Sequence, residues 1–221
     1  MKEEYFSISN IYNKAEEILN KSYMTSGRTR SEEISTEKCA LLILDMQDYF
    51  LSDQSKAYIP SSPAIIPNLV TLTETLSSYK IPIIYTKHLN TKDNAGMMGV
   101  WWQRLIESSN PLSNISNQFN VINNHVITKT RYDAFWDTSL NDILKKNSVT
   151  NLFVAGVMTN LCVETTIRTA FQHGYECTLL VDGTVAYNYE LHQASCMNLS
   201  FGFCKLNLVS EIIGAFDGRE I

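Results

Sequence analysis

The chain has 221 residues, enough for one sizeable hydrophobic core and marginal for two. With 44% hydrophobic and 19% charged residues it has the make-up of an ordinary globular protein, and a net charge of −5 gives no reason to expect nucleic acid or an anionic membrane as partner. No apolar run approaches the roughly 18 residues of a membrane span, and the opening MKEEYFSISN lacks the apolar middle of a signal peptide.

Residues 1–38 read as an N-terminal arm and residues 39–221 as a single domain. In the arm, Ile11 to Leu19 has the pattern of a short helix, with Ile11, Ala15, Ile18 and Leu19 on one face. Ser26 to Ser31 (SGRTRS) then reads as loop. Packing on the domain, contact with a partner subunit and plain mobility are all open uses for the arm. Arg28 and Arg30 either reach an anionic substrate or are solvated charge.

From Cys39 onward, strand-like runs beginning near residues 39, 81, 125, 152, 176 and 204 alternate with helix-like stretches. Helical periodicity shows in Ile65 to Leu76, in Leu140 to Leu144 behind Thr138 as an N-cap, and in 162–173 and 189–201. This alternation predicts a single three-layer α/β/α domain around a mainly parallel six-stranded sheet, with right-handed crossovers. The two longest connections place their surplus in 46–62 and 88–120, directly after strand ends, where long loops usually shape a ligand site. The second carries Gly96-Met97-Met98-Gly99-Val100-Trp101-Trp102, and its two tryptophans either anchor the loop or face a pocket. Five cysteines without close pairing argue against a disulfide scaffold and fit a reducing, cytoplasmic setting. Cys39, Cys177, Cys196 and Cys204 read as core residues. Asp182-Gly183-Thr184 reads as following a strand and capping the next segment.

Chemistry concentrates at three strand ends. Leu41 to Leu44 ends in Asp45, His125 to Thr128 ends in Lys129, and Leu152 to Ala155 leads through Gly156 to Cys162. In a parallel sheet the carboxyl ends of the strands share one edge, where ligands bind, so these three residues are expected to converge. An acid, a cation and a thiol together make an activated nucleophile. A turn placing Cys162 in the first turn of the following helix would lower its pKa through the helix dipole. Taken singly, Cys162 reads as well as a buried structural cysteine, Asp45 as a loop cap and Lys129 as a strand-end charge.

DMQDYF at 45–50, KTRYDAF at 129–135 and GVMTNLCVETT at 156–166 resemble the three motifs of isochorismatase-like cysteine hydrolases, a family that includes nicotinamidases, carbamoyl-amide hydrolases, ureidoacrylate-type hydrolases and isochorismatases. The resemblance runs from about Cys39 to Ile213. It implies that Asp45 takes the proton of Cys162 and that Lys129 supports both. It further implies a covalent thioester, an oxyanion hole from the N–H groups of Met158 and Cys162, and a cis peptide between Val157 and Met158. Residues in or beside the motifs are the expected pocket, Gln47, Tyr49, Phe50, Arg131, Tyr132, Phe135, Trp136 and Val157, joined by Trp101 and Trp102 of the long loop. Arg131 either grips a carboxylate or is locked in an ion pair.

Three departures bear on substrate. Metal-dependent nicotinamidases carry a carboxylate and two histidines after the second strand, whereas Lys87-His88-Leu89-Asn90 offers one, so no metal and no other cofactor is expected. Isochorismatases that hydrolyse a vinyl ether carry glycine where Cys162 stands, which favours C–N hydrolysis. Asp133 occupies a place where a small residue is usual. The leading expectation is a metal-independent amidohydrolase acting on a small molecule, as a dimer or tetramer, with neither nucleic acid nor membrane as partner. A vinyl-ether hydrolase using Asp45 as acid, and a catalytically silent binding protein, are the alternatives.

Overall fold

The computed structural model describes residues 1–30 and 33–218, so Ser31 of the expected loop lies outside the described residues. Six strands form one sheet in the order β3-β2-β1-β4-β5-β6, every pairing parallel. They are β1 (Cys39–Leu44), β2 (Ile83–His88), β3 (His125–Lys129), β4 (Asn151–Val157), β5 (Glu176–Val185) and β6 (Lys205–Asn207). Leu41 to Leu44 and Val154-Ala155 are wholly buried, as central strands covered on both faces must be, and that is why they read as continuous apolar runs. At the edge, β3 leaves His125, Val126 and Thr128 exposed.

Helices α1 (Ile11–Ser26), α2 (Asp48–Leu51), α3 (Ser62–Ser78), α4 (Met97–Trp102), α5 (Leu140–Lys146), α6 (Glu164–Gln172), α7 (Tyr189–Gly202) and α8 (Val209–Asp217) complete the chain, with a 3-10 turn at Pro111–Ser113. The strand order runs one way from β1 to β3 and the other way from β4 to β6, and α3, α6 and α7 all pack against β5. α8 packs on α3, and α6 packs on α7. No helix among the described residues is long and apolar enough to cross a membrane.

The arm packs on this domain. Its helix continues to Ser26, well past Leu19, and Gly27 ends it at φ 67°, a left-handed conformation that glycine adopts without steric penalty. Ile11, Ala15, Ile18 and Leu19 are buried, and α1 lies along α7. Ahead of it, Tyr5 and Phe6 are also in the core, their N–H groups donating to Ser61 Oγ at 2.9 and 3.0 Å. Arg28 donates to the Phe201 carbonyl, and Arg30 pairs with Glu16 and Glu211.

Two local expectations change. Asp182-Gly183-Thr184 lies inside β5, and Asp182 Oδ1 accepts from Val209 N at 2.7 Å, holding the start of α8 from the sheet. Thr138 lies one residue outside the N-cap Ser139, yet its Oγ1 still accepts from Leu140 N at 3.2 Å. The five cysteines are all free; Cys204 is partly exposed and the other four are buried.

Candidate active site

The strand order reverses direction between β1 and β4, so the segments leaving these neighbours part toward opposite faces and open a crevice. Asp45 leaves β1 there and Cys162 follows β4. Gly156 makes the approach possible: it sits at φ 104° opposite Leu44, and a Cβ on it would lie 2.1 Å from the Leu44 carbonyl oxygen. Glycine is therefore required by both conformation and space.

Lys129, at the end of β3, reaches beneath β2 to the same point. Its Nζ lies 2.7 Å from Asp45 Oδ2 and 3.2 Å from Cys162 Sγ, and donates to the Arg131 carbonyl at 3.0 Å. The side chains of Asp45 and Lys129 are fully buried, and Cys162 is 7% exposed. Thr86 Oγ1 on β2 donates to Asp45 Oδ1 at 2.6 Å and fixes the carboxylate from its other side. Three residues from three distant strand ends are thus in mutual contact.

The electrostatics differ from the expectation of an acidified thiol. Burial pushes the Cys162 thiol up to about 12, Lys129 pulling it down and Asp45, which accepts from the thiol, pushing it further up. The local backbone also differs from the expectation. Cys162 sits in a π-helical turn, Thr159–Val163, and α6 begins only at Glu164, so the sulfur is not in the first turn of an α-helix. Burial also presses on the Lys129 ammonium, but Asp45 and Cys162 outweigh it and hold its pKa above the ordinary value. The cluster is therefore a Lys129 ammonium paired with Asp45 beside a thiol held well above its ordinary range. The peptide between Val157 and Met158 is cis.

A cavity of about 400 Å³ opens onto Cys162, the size of a small-molecule site. Of the expected pocket residues, Tyr49, Phe50, Trp102 and Tyr132 line it, together with Met158, expected in the oxyanion hole. Trp102 Nε1 donates to Tyr132 Oη at 2.6 Å, tying the loop helix α4 to the strand-end motif. The others stand elsewhere. Trp101 is 75% exposed and Trp136 60% exposed, and Val157 is fully buried below the wall. Phe135 stacks with Tyr175 and lies against His173.

Gln47 is a buried clamp: its Nε2 donates to the Ser113 and His88 carbonyls, and its Oε1 accepts from His88 N. Arg131 donates to the carbonyls of Asn94 and Thr130, and among the described residues it pairs with no carboxylate. Asp133 accepts from Phe135 N and from Thr169 Oγ1, bracing its loop on α6.

Several site residues carried no sequence signal. Lys2, Tyr187 and Leu105 line the cavity from remote segments. Behind the π turn, His192 is fully buried, its Nδ1 2.8 Å from Thr159 Oγ1 and its ring packed against Tyr5 and Phe6. His88 lines the cavity at 5% exposure with its Nε2 on Asn90 Oδ1. Asn90 Nδ2 already donates to Thr130, so Asn90 Oδ1 is the acceptor of this contact and the His88 proton sits on Nε2. Burial, reinforced by Lys129, lowers the His88 pKa and keeps the ring neutral. Among the described residues no group of three His, Cys, Asp or Glu side chains stands together as a metal-ligand set.

Known proteins resemble this chain in sequence and fold. A family model described as the isochorismatase domain matches residues 39–209. Nicotinamidase 3 of Arabidopsis thaliana is 33% identical over 184 residues, covering 80% of this chain and 88% of its own length. A ureidoacrylate amidohydrolase of Acinetobacter baylyi is 26% identical over 219 residues, covering 85% of this chain and 87% of its own. Among solved structures, a cysteine hydrolase from Pseudomonas syringae pv. phaseolicola superposes with a TM-score of 0.80 at 21% identity, over 83% of this chain and 94% of its own, a likeness of fold. Asp45, Lys129 and Cys162 all fall within the matched region, and this chain belongs to the isochorismatase family of hydrolases.

Proposed function

We propose that the protein is a metal-independent cysteine hydrolase that cleaves a C–N bond in a small amide, ureido or carbamoyl compound through a thioester on Cys162. The observation that carries this reading is the buried contact of Asp45, Lys129 and Cys162 at the floor of a small cavity. The similarity to a nicotinamidase and a ureidoacrylate amidohydrolase supports it.

A thiol held near pKa 12 is almost entirely protonated at neutral pH, so attack has to be coupled to proton transfer. Asp45 receives the proton as Sγ bonds to the carbonyl carbon. Lys129 holds the Asp45 side chain in place and offsets the negative charge that develops on sulfur. The carbonyl electrons move onto oxygen, where the N–H groups of Met158 and Cys162 receive them. Losing one such donor typically costs about 100- to 1000-fold in rate. Collapse breaks the C–N bond, and Asp45 gives its proton to the leaving nitrogen. Asp45 then takes a proton from water, whose oxygen attacks the thioester, and returns it to the departing sulfur.

Incubation with a panel of amides and with isochorismate, read as ammonia or pyruvate release, tests the reading. Cys162→Ala and Asp45→Asn should each lower amide turnover by several powers of ten, with the double variant little worse. A Cys162→Ala enzyme that keeps more than about a tenth of its turnover would refute the thioester route. If isochorismate is the substrate, Asp45→Asn alone should abolish activity, with Asp45 protonating the vinyl ether. Activity should also survive dialysis against a chelator, and recovery on adding zinc or iron would refute metal independence.

A further inference from the structure

The cavity wall has a charge pattern that C–N hydrolysis does not need. Three cations line it, Lys2 from the arm, Lys56 from the loop after α2 and Arg104 from the loop after α4, and no Asp or Glu does. This is the reverse of the chain as a whole, in which 23 acidic residues outnumber 18 basic ones. The pattern also has a depth. Cys162 and Met158 are 7% and 5% exposed at the floor, whereas the three cations are exposed at the rim.

Lys2 is held in place there. Its Nζ donates to the carbonyls of Lys56 and Tyr58, both at 2.6 Å, and lies 4.6 Å from the centre of the Tyr187 ring. The segment behind it is fastened by Glu3 N donating to the Tyr187 carbonyl at 2.8 Å and by the Tyr5 and Phe6 contacts with Ser61. An ammonium with two acceptors keeps one N–H for a ligand. Among the described residues the Lys56 ammonium and the Arg104 guanidinium have no ion-pair or hydrogen-bond partner. Positive charges gathered on a concave apolar wall concentrate anions and offer them charge-assisted hydrogen bonds.

We infer that the rim of this cavity is a carboxylate subsite, and that the substrate is a small amide or ureido compound carrying an anionic group at the end remote from the scissile C–N bond. This rests on the C–N hydrolase reading above for the identity of the other end. Tyr49, Phe50 and Trp102 on the cavity wall suit a flat or short apolar body joining the two. A volume of about 400 Å³ limits that body to a single ring or a short chain.

The test measures binding to the Cys162→Ala protein by calorimetry, so that turnover does not intervene. Two pairs of probes differ only in charge: succinamate against succinamide, and 4-carbamoylbenzoate against its neutral diamide. At least one anion should bind about tenfold or more tightly than its diamide, with a preference that shrinks as salt is raised. Lys2→Gln combined with Arg104→Gln should erase that preference, weakening the anions about tenfold more than the diamides. Equal binding within both pairs, or a preference that survives the double replacement, would overturn the subsite. Ammonia release by the unmodified enzyme reports on the hydrolase reading separately. An anion preference in binding without ammonia from any amide would reject C–N hydrolysis and keep the subsite. Ammonia from diamide and anion with equal kcat/KM would do the opposite.

Discussion

The floor and the rim of the cavity are built on different principles. The floor consists of strand ends: Asp45 and Lys129 are wholly buried, and each nearby donor and acceptor holds another in place. The rim consists of loops and the arm, with Trp102 40% exposed and Trp101 beside it 75% exposed. Groups whose positions must be held within a fraction of an ångström are on the sheet, and groups that meet the variable part of a ligand are on connections. Substitutions in the floor should therefore cost both stability and activity, and substitutions in the rim should cost only affinity.

Lys129→Met gives the sharpest test of the floor. It leaves the Asp45 carboxylate buried without its counter-ion, and breaking such a pair typically costs about 3–5 kcal/mol. Urea denaturation should show that loss together with the disappearance of turnover. Unchanged stability would mean that the pair is not the support the geometry indicates.

The thiol provides a second test. With Cys162 near pKa 12, iodoacetamide should label it slowly at pH 7, and the rate should rise about tenfold per pH unit up to pH 10. A labelling rate that levels off below pH 8 would show an acidified thiol instead.

Behind the floor, His192 is kept neutral by burial, its pKa lowered to about 3. The unfolded chain binds that proton below about pH 6.5 while the folded chain does not, so His192 should cost stability progressively as pH falls from 6.5 toward 3. Each such group contributes a slope of up to about 1.4 kcal/mol per pH unit. His88, also lowered by burial, acts in the same direction. Asp182 opposes them: burial raises it to about 6, so its contribution is present in acid and is lost as pH rises from about 4 through 6. His192→Gln should flatten the acid limb of stability measured by thermal melting, and an unchanged limb would place the titration elsewhere.

The smallest effect belongs to the rim. Trp102→Ala removes a cavity wall and the donor to Tyr132, and should raise KM by roughly fivefold, the equivalent of about 1 kcal/mol of aromatic contact. Trp101→Ala should leave KM unchanged. Equal effects at the two positions would erase the distinction between them.

How much of this was legible in the chain follows the same division. Hydrophobic runs such as Leu41 to Leu44 announce buried parallel strands, because a strand covered on both faces has no polar side to alternate with. From the strand pattern and the rule that ligands bind at carboxyl ends, Asp45, Lys129 and Cys162 could be placed at one edge. Motif neighbours were less informative. Gln47, Arg131 and Phe135 lie beside the floor in sequence, yet their side chains brace loops.

What the sequence determined by itself is the order of strands and helices and the residue types at the strand ends, since these depend on local periodicity and on short spacings. Tertiary structure decided the rest. The thiol's raised pKa follows from how deeply the fold buries Cys162 beside Asp45, which no local pattern encodes. Lys2 and Tyr187 meet at the rim because the arm is fastened across the domain at Ser61 and Tyr187. Contacts between residues so far apart in the chain are set by packing of the whole core, and they leave no periodicity in the sequence to read.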